Sequence, residues 1–147
     1  MEEQKIHDQV EMILQLNNPL VVPKIMELAK VVPGTPIEYL ENMLFDAIGD
    51  KLSAIYYHDK EGAVKGFIFA SEETWEGERV AFIQFCVVMP DSYENFICFE
   101  LITKIRLWAK DRGIKTMIFS TKRNYKPFVR KYKFELTGYI LKRPVMG

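Results

Sequence analysis

The sequence predicts an α+β domain, a mixed β-sheet flanked by helices, and three observations carry that prediction. Apolar residues recur at helical spacing over the first part of the chain. From Leu52 to Val88 the pattern becomes that of strands joined by tight turns. A long amphipathic helix then separates the last of these strands from another, as in a parallel crossover. At 147 residues the chain is about one domain over 1–147, with a helical part over 1–50 and the sheet with its crossover helix over 52–143. Its 48% hydrophobic and 27% charged residues exclude a disordered or low-complexity chain. Two cysteines are too few for a disulfide framework or a four-ligand zinc site, which points to a thiol-reduced, cytoplasmic protein. No apolar run approaches the ~20 residues of a membrane span. Met1 opens onto Glu2-Glu3-Gln4-Lys5 rather than a signal peptide, so the expectation is a soluble chain without membrane contact.

Each element has its own justification. Ile6, Val10, Ile13 and Leu14 fall on one helical stripe, predicting a first helix from Glu2 to Asn17, stopped by Asn17-Asn18-Pro19. A second helix is expected from Leu20 to Lys30, broken by Val32-Pro33-Gly34-Thr35-Pro36. Thr35, as an N-cap before Pro36 and Glu38, starts a third that runs to Ile48 and ends at Gly49-Asp50. Leu52 to His58, Val64 to Ser71 and Val80 to Val88 read as three strands. The short turns Asp59-Lys60-Glu61-Gly62 and Trp75-Glu76-Gly77-Glu78 make them antiparallel neighbours. The apolar run from Ala81 to Val88 predicts a central strand covered on both faces. A long helix from Ser92 to Arg112 buries Ile97, Leu101, Ile105 and Trp108, with Gly113 at its C-terminal turn. Thr116 to Ser120 is then a parallel strand. A short basic helix from Asn124 to Tyr132 and closing strands at Phe134 to Leu136 and Tyr139 to Lys142 complete the order.

Charge is segregated along the chain. Residues 1–103 carry 7 Lys/Arg against 18 Asp/Glu, whereas residues 104–147 carry 13 against 2. The cluster from Lys122 to Lys133 interleaves bases with tyrosines and suits an anionic ligand, an acidic protein surface, or the chain's own acidic half. The opposed halves also permit head-to-tail self-association into a homo-oligomer. Zero net charge weighs against nucleic acid as the partner. His7 and His58 stand apart from any Cys or His at metal-ligand spacing, so no metal site is expected. Cys86 reads as a core residue. Cys98, in the first turns of the long helix, reads as a small buried residue or as a thiol activated by the helix end. No GxSxG, Walker loop or dinucleotide fingerprint is present.

From Leu52 to Arg143 the order and several motifs resemble the GNAT superfamily of acyl-CoA-dependent N-acetyltransferases. The residues that carry the resemblance are Phe85-Cys86-Val87-Val88-Met89-Pro90 leading into the long helix, Arg112-Gly113-Ile114-Lys115, a strand ending in Ser120-Thr121, Asn124, and Tyr132-Lys133-Phe134-Glu135-Leu136-Thr137-Gly138-Tyr139. The fold so implied is GNAT-like, with extra N-terminal helices in place of the usual first strand. The cofactor implied is acetyl-CoA. Cys86, Val87 and Val88 would pair with its pantetheine arm, with the thioester along Val87. Tyr93, Asn95 and Phe96 in the loop, and Asn124 beyond it, would complete the cofactor site. In that loop Tyr93 stands where the family usually has arginine, and Phe96 and Cys98 stand where it has glycines, while Asp91 and Glu94 place acid beside the helix end.

The activity implied is acetylation of a small-molecule or peptide amine. Gln84 on the central strand cannot titrate. Val129 falls at the family's usual tyrosine, with Tyr125 and Tyr132 nearby, so no catalytic residue is assigned. The acceptor would enter beside Val31 to Pro36 and the Trp75 turn. The rival expectation is a non-catalytic GNAT-derived binding or assembly module that has lost cofactor binding.

Overall fold

The computed structural model describes residues 12–89 and 97–120, together with Lys126, Arg130, Phe134, Glu135 and Arg143. Five strands form one sheet in the order β1-β2-β3-β4-β5: β1 Met12–Gln15, β2 Ser53–Lys60, β3 Ala63–Trp75, β4 Glu78–Val88 and β5 Thr116–Phe119. The first four are antiparallel, and β5 joins β4 in parallel. Helices α1 (Val22–Val31, entered through a 3-10 turn at Pro19–Val21) and α2 (Ile37–Ala47) cover one face. Helix α3 (Ile97–Asp111) covers the other.

β1 corrects the expected first helix. Met12 to Gln15 pair with Asp59 to Tyr56, so a strand opens the sheet where the sequence predicts only helix. Val10, Met12, Leu14 and Leu16 fit a period of two as well as the stripe fits 3.6. Pairing with β2, distant in sequence, decides between them: Ile13 packs on the α3 side and Leu16 joins the α1–α2 core. Residues 1–11 lie outside the described residues.

The other described elements form as expected, with local differences. Pro36 rather than Thr35 occupies the N-cap of α2, and the Thr35 hydroxyl donates instead to the Val32 carbonyl at 2.9 Å. Both hairpin turns place an adjacent Glu-Gly pair at positive φ, Glu61 (53°) with Gly62 (85°) and Glu76 (49°) with Gly77 (80°). That is the backbone of a type I′ turn, whose twist matches the strands it joins. β4 is covered on both faces, with Val87 in the α1–α2 core and Ile83 and Val88 in the α3 core. Ile97, Leu101, Ile105 and Ala109 bury the inner stripe of α3, and Gly113 follows at φ 74°. Lys126 and Arg130 are helical and exposed, whereas Phe134 and Glu135 are not in a strand. The Phe134 ring lies 6.2 Å from that of Phe119 on β5. The second closing strand, Tyr139 to Lys142, lies outside the described residues.

One ion-pair cluster ties the β3–β4 hairpin to the end of α3. Glu72 accepts from Arg79 Nη2 at 2.9 Å and from Arg112 Nε at 3.1 Å, and Arg79 also donates to the Arg112 carbonyl. The hydrogen bond from Arg79, then that from Arg112, holds the Glu72 carboxyl below its usual range. A carboxyl lowered on folding contributes stability above its unfolded pKa, and this is lost as pH falls through the lower folded value. Denaturant midpoints measured across the acid range should therefore fall less steeply for Glu72→Gln than for the parent chain.

Candidate active site

Strand β4 extends past its parallel neighbour. The β4–β5 ladder runs from Val80↔Thr116 to Ile83↔Phe119 and stops there, while β4 continues to Val88 with β3 on its other side. A bulge sits just past the last paired residue: Ala70 faces Ile83 and Phe69 faces Phe85, which leaves Gln84 as the extra residue on β4. The bulge reverses the alternation beyond it. Ile83 belongs to the α3 side, yet Phe85 and Val87 pack toward α1–α2, and Cys86 and Val88 return to α3. The bulge thus re-aims the strand end that extends past β5.

Around the bulge runs a chain of polar side chains. Gln84 Nε2 donates to Ser71 Oγ at 2.9 Å, and Ser71 Oγ donates to Glu73 Oε1 at 2.9 Å. Ser71 is buried, whereas Glu73 is exposed, so the chain leads from the sheet to solvent. Aromatic rings flank it. Tyr39 of α2, exposed, lies 6.4 Å from Phe85, and Trp75 lies 6.4 Å from Phe82. Phe82 is directly opposite Ser71 in the β3–β4 register, on the same face. A carboxylate, a hydroxyl and an amide within hydrogen-bond reach of one another can orient and deprotonate an amine.

Sequence reasoning missed Ser71 and Glu73. The signal was present in the hairpin: the Glu76-Gly77 turn fixes Ser71 opposite Phe82 and puts Glu73 on the same face. The bulge that brings Gln84 to them has no such mark. Of the predicted cofactor residues, Cys86, Val87 and Val88 stand on the end of β4 that extends past β5. Tyr93, Asn95, Phe96 and Asn124 lie outside the described residues, as do Tyr125, Val129 and Tyr132. Val31 and the Trp75 turn are not brought together. Val31 lines a shallow pocket with Lys24, Glu27, Lys65 and Met89 at the β2–β3 end of β3, and Trp75 ends that strand. His58 is fully buried on β2 opposite Ile13 and Gly66. Among the described residues no three His, Cys, Asp or Glu side chains gather as metal ligands, and no helix is long and apolar enough to cross a membrane.

No protein-family model matches the chain, and no curated protein matches it by sequence. Solved structures do match. The aminoglycoside acetyltransferase AAC(6′)-Iy, in complex with the bisubstrate analogue CoA-S-monomethyl-acetylneamine, superposes with a TM-score of 0.79 at 18% identity, covering 95% of this chain and 100% of that one. The aminoglycoside 6′-N-acetyltransferase AAC(6′)-Ih from Acinetobacter baumannii gives 0.77 at 14% identity, covering 94% and 100%. A predicted acetyltransferase from Clostridium acetobutylicum with acetyl-CoA gives 0.75 at 14%, covering 92% and 96%. Along nearly its whole length the chain thus shares its overall fold, a GNAT-like mixed sheet flanked by helices, with these proteins.

Proposed function

We propose that the chain is an acetyl-CoA-dependent N-acetyltransferase of a small-molecule or peptide amine. The observation that carries this reading is the polar chain Gln84–Ser71–Glu73 at the point where the β4–β5 ladder ends. The donor fits the groups present. A strand end that extends past its parallel neighbour offers main-chain groups along one edge, and main-chain pairing needs no particular side chain. The main chain of Cys86, Val87 and Val88 would hold the pantetheine arm there. Tyr93, Asn95, Phe96 and Asn124 would complete the site toward the diphosphate. Acetyl-CoA supplies, when bound, an acetyl group activated as a thioester. Structures of similar fold contain CoA, acetyl-CoA or a CoA-linked analogue, which supports the assignment.

The side chains then have distinct tasks. Gln84, fixed through its Nε2 to Ser71, keeps its carbonyl oxygen to accept an N–H of the incoming amine. Ser71 Oγ already donates to Glu73, so a proton taken up at the hydroxyl oxygen can be matched by one passed to Glu73 Oε1. Tyr39, Phe85 and Phe82 form apolar walls that keep the amine near this chain and limit water. Phe82 and Trp75 also offer ring faces to a cationic acceptor. The acceptor approaches between Tyr39 and the exposed Glu73.

Titration calorimetry of acetyl-CoA and CoA into the protein at modest salt tests the cofactor half. A Kd in the micromolar range, ~8 kcal/mol, is expected. Absence of heat at millimolar ligand would overturn the reading and leave a non-catalytic binding or assembly module. A thiol-release assay over a panel of amines, from monoamines to lysine-bearing peptides, then identifies the acceptor.

A further inference from the structure

The chain has two cysteines, and the fold brings them together. Cys86 Sγ on β4 and Cys98 Sγ in the first turn of α3 are 3.5 Å apart, although twelve residues separate them in sequence. The juxtaposition depends on the bulge. Were β4 regular through Gln84, strict alternation from Ile83 would turn Cys86 toward α1–α2, away from α3. Both thiols pack against the α3-side core, and both remain partly accessible.

We propose that Cys86 and Cys98 are a redox-active dithiol that closes to a reversible intrachain disulfide, stapling the end of β4 to the start of α3. The sulfurs need to close by ~1.5 Å to reach the ~2.0 Å of the bond, a change within the reach of side-chain rotation. The oxidant is a peroxide. One thiolate attacks a peroxide oxygen, the O–O bond breaks, and the departing hydroxide takes a proton to become water, leaving a sulfenic acid. The second sulfur attacks the sulfenic sulfur, the S–S bond forms, the S–O bond breaks, and a second water leaves with the remaining thiol proton. Two thiols lose two electrons and one peroxide gains them. A dithiol reductant reverses the step by exchange.

The test uses the full chain, reduced, freed of reductant and treated with one equivalent of hydrogen peroxide. Intact mass should fall by two hydrogens, both thiols should vanish from a denaturing thiol count, and digestion should yield one peptide joining Cys86 to Cys98. Dithiothreitol should restore mass and thiols together. In Cys98→Ser, checked for folding by its thermal melt, Cys86 should instead be trapped as a sulfenic acid by dimedone. Gain of oxygen on the parent chain without the joined peptide, or disulfide-linked dimers in its place, would overturn the proposal. These readouts do not involve CoA, so the result stands apart from the function proposed above.

Discussion

Glu73→Gln is expected to lower the turnover of amine acetylation by ~10²–10⁴-fold, the range typical of a lost general base, with the Kd for CoA unchanged. The substitution keeps the shape of the side chain and its ability to accept from Ser71 Oγ, but removes the site where the proton comes to rest. Ser71→Ala cuts the same path one atom earlier and leaves Gln84 Nε2 without its acceptor. If the three side chains act as one unit, the double variant Ser71→Ala/Glu73→Gln loses little more than either single one. Independent roles would instead multiply the two losses. Turnover of Glu73→Gln within a few-fold of the parent would remove Glu73 from the chemistry. Equal loss of CoA affinity and turnover would mean that the change had disturbed β3 rather than proton transfer. The two quantities must therefore be measured on the same preparation.

The fold was largely legible in the sequence because its strongest signals are local. Glu61-Gly62 and Glu76-Gly77 mark two hairpin turns, and both adopt the positive φ angles that such turns require. Ile97, Leu101 and Ile105 repeat at helical spacing and fall under one face of α3. Where sequence reasoning failed, the deciding interaction was distant. Met12–Gln15 become a strand because β2 offers them an edge some forty residues along the chain. The end of β4 was legible through the run Phe85 to Pro90, but the polar chain beside it was not. Gln84 cannot titrate, and its value lies in what it touches. That contact arises from a bulge, and a single extra residue in a run of apolar side chains leaves no trace in hydrophobic pattern. The same bulge brings Cys86 under α3, so the polar chain and the thiol pair were hidden for one reason.

A second large effect is expected at Gly66, in stability rather than rate. Gly66 sits on β3 opposite His58 and Val88, under the start of α3. A Cβ there would lie 2.9 Å from Ile97 Cγ2, 3.3 Å from Leu101 Cδ1 and 3.3 Å from the Val87 carbonyl oxygen. The nearest of these atoms cannot easily swing aside, because Ile97 is buried and its β-branched side chain is stiff on a helix. Gly66→Ala should thus push the start of α3 outward and cost ~1–3 kcal/mol. Gly66→Val should cost more. At this chain length each kcal/mol lowers Tm by ~2–4 °C, so even the alanine variant is resolvable in a thermal melt. Ile97→Ala destabilises by itself through a cavity, but combined with Gly66→Ala it removes the clash. The double variant should therefore be more stable than the sum of the single losses implies, by ~0.5–3 kcal/mol. Simple additivity would place the cost of Gly66→Ala elsewhere, in β3 itself. The displacement also has a chemical reporter. Cys98 is the residue after Ile97, so lifting this turn draws its sulfur away from Cys86, and peroxide should form less of the 86–98 disulfide in Gly66→Ala than in the parent. Loss of stability with undiminished disulfide would show that α3 holds its place and that β3 takes up the strain.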